Sequence, residues 1–157
     1  FPILHSLDEA RDYFHKKSRY FLVAIASPQK RKEVVSKLES VGGRAFTYIA
    51  CQSSISSHAN VSENGVIVQM DCEIGQDVVL EKGVLVNIQT SIGDGVHVGS
   101  YTTIAPDVII MSGASIGRDC IISTGVTIAA GVTIGNNVKI WMGQTVTTDL
   151  PDNTNLI

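Results

Sequence analysis

Asp94 stands between two glycines, Gly93 and Gly95, and steps of eighteen from it reach Gln76, Ser112, Ala130 and Thr148. Gly113, Ala129 and Gly131 run beside that series. If a fold stacks residues eighteen apart, these small side chains line one corner. An extended ligand could then reach the main-chain N–H and C=O groups there. The same residues equally suit a tight corner that binds nothing. Asp94 can accept a proton from an attacking group, but a carboxylate near pKa 4 is a poor base unless desolvation raises it. Its flanking glycines favour openness, so a solvated corner carboxylate is the alternative reading. One step along, the backbone N–H of Ser112 or Gly113 suits a developing oxyanion and needs only main chain. His97 follows Asp94 by three residues and should face outward about 10 Å away. It can reach a neighbouring subunit, be solvated or pack at a subunit contact. His58, His5 and His15 are expected at the surface.

The spacing of eighteen follows from a period of six. From Ile74, every sixth residue to Val146 is aliphatic, through Leu80, Val86, Ile92, Val98, Ile104, Ile110, Ile116, Ile122, Ile128, Ile134 and Ile140. Four places after each comes a second column, from Val78 and Val84 to Val132 and Val138, small or β-branched until Gln144 and Leu150. Six fits neither a helix nor a plain strand, but it fits a short strand plus a corner. Three such sides close a coil of eighteen residues that stacks on the next at about 4.8 Å, with the aliphatic columns inside. The repeat predicts about five coils over residues 51–157, with Ile55, Val61 and Val68 adding the first. The 61-to-68 step of seven implies one extra residue. Gly75, Gly93, Gly99, Gly117 and Gly135 follow the first column, where a corner is expected to need unusual backbone angles. Gln144 suggests that the prism is ending, and Trp141 and Met142 can stack on a ligand ring, pack between subunits or cap the last coil. Crossovers between parallel strands are nearly always right-handed, which predicts a right-handed winding.

Residues 1–50 obey other rules and are expected to be a partial α/β, Rossmann-like unit. Ser6 and Glu9 form a capping box before a helix carrying Leu7, Ala10, Tyr13 and Phe14, and Arg19–Ala26 reads as a buried strand. Ser27 and Pro28 open a second helix with Val34, Val35, Leu38 and Val41 on its apolar face, and Gly42 and Gly43 stop it. A further strand is expected over Ala45–Ala50. No G-x-G-x-x-G precedes this unit.

Charged residues are 17%, aromatics 6% and the net charge −3, with no basic run longer than Lys30-Arg31-Lys32. Neither nucleic acid nor membrane is an expected partner, and a cytoplasmic location is the default. Cys51, Cys72 and Cys120 lack metal or disulfide spacing and read as reduced thiols. Only His58 and His97 lie in the repeat, too few for a metal shared between prisms, so no metal is expected. The chain begins at Phe1, within what reads as a strand-to-helix connection, as a piece of a longer product would.

The half-unit, the prism and the stretches EKGVLVN (81–87), TIAP (103–106) and TTDLPDN (147–153) resemble the NeuD-type acetyltransferases. These include sialic acid O-acetyltransferases and N-acetyltransferases of amino-sugar nucleotides such as bacillosamine and perosamine precursors. The resemblance covers essentially the whole chain. It implies a left-handed parallel β-helix, a homotrimer, acetyl-CoA in the groove between prisms, and a nucleotide-sugar acceptor acylated on an amino or hydroxyl group. It places the pantetheine arm against Ser112, Gly113, Ala129, Ala130, Gly131 and Thr148, and the acceptor near Asn87 and Thr103. Asn87 and Ile92 match the family motif N-T-x-x-x-I-D-H-D-C, but its histidine falls on Asp94, and a second family histidine falls on Thr103. The family's glycine-rich turn and its G-V-P-A-K-like tail would lie beyond the two ends of this chain. The rival expectation is a non-catalytic trimer kept for assembly or for binding a sugar nucleotide.

Overall fold

The computed structural model describes residues 3–157, so the first two residues of the expected N-terminal unit lie outside it. Eighteen two-residue strands form a left-handed parallel β-helix of about six turns, one more than the repeat predicts. The right-handed rule rests on twisted strands feeding a helix, and strands this short carry little twist to impose it. The first face holds seven strands from Tyr48–Ile49 to Asn155–Leu156, the second six from Ser54–Ile55 to Thr145–Val146, and the third five from Asn60–Val61 to Thr133–Ile134. The columns predicted from the period are the core. Ile92, Ile104, Ile116, Ile128 and Ile140 are at most 1% exposed, and the second column from Val78 to Val138 is buried throughout.

Ser91 pairs with Ile109 and Ile109 with Thr127, which keeps the eighteen-residue register through the middle of the prism. Tyr48 pairs with Ile67 one residue out of that register, and the extra residue lies in the corner after Val61, where Gly65 has φ +74°. At the other end the offset falls from 18 to 16, with Ile134 opposite Leu150. The prism therefore does not end at Gln144. It continues until Asn155–Leu156 pairs with Lys139–Ile140, and Trp141 Nε1 donates to Asn155 Oδ1 at 3.1 Å as part of that cap.

The glycines after the first column have a different reason from the one expected. None of Gly75, Gly93, Gly99, Gly117 and Gly135 has a positive φ. A Cβ on Gly99 would lie 2.6 Å from Arg118 N and 2.7 Å from Gly117 C, so the next coil occupies the space a side chain needs. The left-handed backbone falls one place before the second column, mostly at Asp77, Asp107, Asp119, Asn137 and several glycines, and also at Gln89 and Tyr101. Asp, Asn and Gly are the residues that tolerate it.

In the N-terminal unit, helix α1 spans Leu7–Lys16 and helix α2 spans Pro28–Ser40. Ser6 Oγ accepts from Glu9 N–H at 3.1 Å, and Ser27 caps α2 with Pro28 at its first turn. Only Tyr20–Phe21 of the expected strand pairs, parallel to Arg44–Ala45, and Leu22, Ala24 and Ala26 are exposed rather than buried. The expected Ala45–Ala50 strand is divided: Arg44–Ala45 stays with this small sheet and Tyr48–Ile49 becomes the first rung of the prism.

Arg31 fastens α2 to the prism. It is 1% exposed and donates from Nε to Gly83 O at 2.9 Å, from Nη1 to Thr103 Oγ1 at 2.9 Å and to Ile25 O at 2.5 Å, and from Nη2 to Tyr101 O at 2.5 Å. Among the described residues no helix is long and apolar enough to cross a membrane.

Candidate functional site

The structure sorts the predicted residues into two groups on different edges of the prism. Asp94, Ser112, Gly113, Ala129, Ala130 and Gly131 lie on the edge between the second and third faces, stacked by the pairing of Ile92, Ile110 and Ile128. Apart from the half-buried Ala129, all are exposed. Thr148 belongs to the same edge, but the shortened last corner takes it out of the eighteen-residue register. Asn87 and Thr103 instead line a cavity of about 550 Å³ beside the first face, with Ala26 and Ser27 from the N-terminal unit and Pro106 and Met142 from the prism.

Along the first edge the main chain decides what is free. Gly113 N–H donates to Asp94 O at 2.8 Å and Gly131 N–H to Ser112 O at 3.1 Å. The oxyanion role expected of Gly113 is therefore not open to its N–H. Ser112 N–H and Ala130 N–H have no acceptor among the described residues and are left as unpaired donors on this edge. Asp94 carries a structural bond: its Oδ1 accepts Gln76 N–H of the preceding coil at 2.7 Å. Asn136 does the same for Arg118 N–H at 3.1 Å, and Asp152 for Asn136 N–H at 2.7 Å, on the edge between the third and first faces. Asp94 is thus exposed and tied to the preceding coil, the geometry of a corner residue.

In the cavity, the polar groups that sequence reasoning offered to a substrate are already engaged. Thr103 is 4% exposed; its hydroxyl donates to Ala26 O at 2.7 Å and accepts from Arg31 Nη1 at 2.9 Å. Asn87 Nδ2 donates to Ile104 O at 2.7 Å, and Asn87 Oδ1 accepts from Gln69 Nε2 at 3.1 Å. Both residues shape the cavity wall. Burial pulls the Arg31 guanidinium down to about 10, still charged at neutral pH, so a fixed positive charge stands behind Thr103.

The pairing of His97 with Glu81 is absent from the sequence reading. His97 Nε2 lies 2.9 Å from Glu81 Oε1, and Glu81 Oε2 accepts from Ser100 N–H at 2.9 Å and Ser100 Oγ at 2.5 Å. Those bonds, those of Ser100 above all, hold the Glu81 carboxyl below its ordinary range against the opposing pull of burial. The pair opens on a groove of about 390 Å³ across the third face, walled by Ser115, Thr133, Arg118 and Asp152. Its signal was a spacing of sixteen, off the eighteen-residue register, because Glu81 sits at the corner while His97 sits in a strand.

Residues 113–147 match the bacterial transferase hexapeptide family (six repeats). A comparison with curated proteins returns no match by sequence. Among solved structures, the chain superposes on a histidine mutant of perosamine N-acetyltransferase from Caulobacter crescentus, in complex with CoA and GDP-perosamine. The TM-score is 0.87 at 21% identity over 91% of this chain and 68% of that one. It is similar to the acetyltransferase domain of PglB from Neisseria gonorrhoeae FA1090 in complex with acetyl coenzyme A, with a TM-score of 0.81 and 22% identity over 84% of this chain and 64% of that one. WeeI from Acinetobacter baumannii AYE gives 0.73 at 20% identity, covering 90% of this chain and 69% of that one. At these identities the likeness carries the fold: the chain shares with these hexapeptide-repeat structures the parallel β-helix.

Proposed function

We propose that this chain is an acetyl-CoA-dependent acyltransferase acting on an amino or hydroxyl group of a nucleotide sugar, at sites completed between the subunits of a trimer. The observation that carries the reading is the open edge at Ser112 and Ala130, where unpaired N–H groups run beside small side chains. A pantetheine arm can lie along such an edge with its amides bonded to main chain, and its thioester oxygen can take the Ser112 N–H as negative charge develops. Support also comes from the folds it matches, two of which hold CoA or acetyl-CoA and one GDP-perosamine. The donor edge and the cavity at Asn87 and Thr103 lie on different edges of one prism. An acceptor anchored in the cavity of one subunit therefore meets the thioester on its neighbour, which is the reason for the trimer.

Calorimetric titration with acetyl-CoA tests the donor site: binding with a millimolar or tighter Kd is expected, and Ala130→Trp, which fills the edge, should abolish it. No heat at millimolar ligand would remove the reading. The second reading, a non-catalytic trimer, is favoured by the structural bond of Asp94 and the spent hydroxyl of Thr103. Thiol release from acetyl-CoA with 4-amino-sugar nucleotides separates the two.

A further inference from the structure

On the side of the last coils, the cavity at Thr103 is lined by Ile121 and Ser123. The next coil pairs Lys139 with Ile121 and so sets Trp141 beside Ser123, one rung of about 4.8 Å further along the first face. We infer that this sill of the cavity is a nucleotide site, with the base laid on the Trp141 indole and the phosphate held by the Lys139 ammonium. The inference rests on the acyltransferase reading only for which nucleotide arrives: that of the sugar acceptor in the cavity, or that of the coenzyme held by the neighbouring subunit.

Three observations converge on the sill. First, the ring is held while its face stays open. Trp141 Nε1 donates to Asn155 Oδ1 at 3.1 Å, which uses the indole edge and lays the ring along the first face, yet Trp141 remains 51% exposed. Closing the last coil needs only that edge bond. An aromatic ring fixed before binding gives up little conformational freedom when a base stacks on it.

Second, an unpaired cation stands within reach. Lys139 and Trp141 flank the buried Ile140, about 7 Å apart, and both are exposed. A nucleotide bridges such a gap, with its ribose between base and phosphate. Among the described residues Lys139 has no ion-pair partner. A subunit contact that covered Trp141 would have to take this charge out of water as well, at a cost that nothing beside it offsets. Met142, the next residue, lies beyond the strand and is free for such a contact.

Third, the surroundings select an anion. No Asp or Glu lines the cavity, and the outward column of the first face runs Thr103, Ile121, Lys139 and Asn155 without one. Arg31 sets a fixed positive charge behind Thr103 at one end, and Lys139 a free one at the other.

Trp141 is the only tryptophan of the chain, so its emission reports the site directly. The full chain is titrated with UDP, GDP and CoA, with pantetheine as control, following that emission and, by calorimetry, the affinity. At least one of the three nucleotides is expected to quench the emission saturably, whereas pantetheine, which has no base, should leave it unchanged. Quenching by UDP or GDP assigns the nucleotide to the acceptor, and quenching by CoA assigns it to the coenzyme. For the probe that quenches, Trp141→Leu should weaken binding about 10-fold, the size of one base stack, and Trp141→Phe should recover part of the loss. Lys139→Gln should weaken it about threefold and flatten its dependence on salt. That variant removes no packed group, so it reads the site even if the Trp141 variants fail to fold. Absence of quenching by all three nucleotides overturns the inference, as does a folded Trp141→Leu protein that binds the probe as tightly as the wild type. Neither result touches the acyltransferase reading, which stands on acetyl-CoA heat and thiol release. Quenching by UDP or GDP in a chain that gives no heat with acetyl-CoA would keep this site and remove the reaction.

Discussion

A buried guanidinium whose six hydrogen bonds all go to uncharged oxygens is unusual, because charges taken from water are ordinarily neutralised by a partner of opposite sign. Arg31 manages it through its fork of donors, which satisfies the carbonyls of Ile25, Ala26, Gly83, Tyr101 and Thr102 together with the Thr103 hydroxyl. Removing it leaves the carbonyls of Ile25, Gly83 and Tyr101 without that donor, each at a cost of about 1 kcal/mol or more, while Ala26 O keeps the Thr103 hydroxyl and Thr102 O the Leu85 N–H. Arg31→Met should therefore lower the unfolding free energy by about 3 kcal/mol in a denaturant titration, and Arg31→Lys, with three donors on a point charge, should recover little of it. Lys32→Met is the comparison: Lys32 is 54% exposed, paired to Asp119 at 3.7 Å, and should cost under about 0.5 kcal/mol. In the sequence the two residues look alike, as members of one basic run on a polar helix face. What distinguishes them is a contact more than seventy residues away, which local pattern does not reveal. Glu81 was equally hidden. Its carboxyl is held below its ordinary value of 4.5, so its contribution is complete above that pH and is lost as pH falls through the lower folded value. Acidification through that window should release the His97 ring, seen as the loss of its Glu81-bonded N–H resonance.

At the scale of the strand and corner, far more was legible. The six-residue period placed the interior columns and the eighteen-residue register without error between Ile74 and Val146, because an inward aliphatic residue is demanded at every side of every coil. The corners were misread because glycine has two uses there. One glycine set has no room for a Cβ, and the other supplies left-handed backbone. A sequence signal did separate them: the left-handed set alternates with Asp and Asn, as at Asp107, Asp119 and Asn137, whereas no Asp stands in the crowded column. This leads to opposed predictions for two alanine substitutions. Gly143→Ala meets nothing within 4 Å and pays only for φ +72°, about 1 kcal/mol. Gly99→Ala has an ordinary φ but drives its Cβ into the main chain of Arg118 and Gly117, which must move with the whole coil. It should cost about 3 kcal/mol. Thermal unfolding of the two variants checks the order, and Gly143→Ala as the less stable protein would refute the steric account.

For the whole molecule, a prism of stacked coils contacts only its neighbours along the axis, so its three outer faces are free to meet other chains. They are not equally polar. On the second face the outward column reads Glu73, Ser91, Ile109, Thr127 and Thr145, and Ile109 is 47% exposed among polar neighbours. Met111, 46% exposed, follows it at the donor edge, while Trp141 and Met142, 51% and 69% exposed, project from the opposite edge of that face. Large apolar side chains gathered on one side of a prism mark a contact surface. An edge that presents Ile109 and Met111 to the Met142 side of a neighbour is head-to-tail, and such a contact closes into a ring of three when each copy is turned by a third of a circle from the last. The proposed trimer therefore predicts a sedimentation mass three times the 16.8 kDa of the chain. Ile109→Lys should lower that mass to that of one chain, because it sets a charge in the contact while leaving the interior Ile110 column intact. Acetyl-CoA turnover should fall with it, since the proposed site takes its donor edge and its acceptor cavity from different subunits. A monomeric Ile109→Lys protein that keeps full turnover would place both halves of the reaction on one prism and end the intersubunit arrangement.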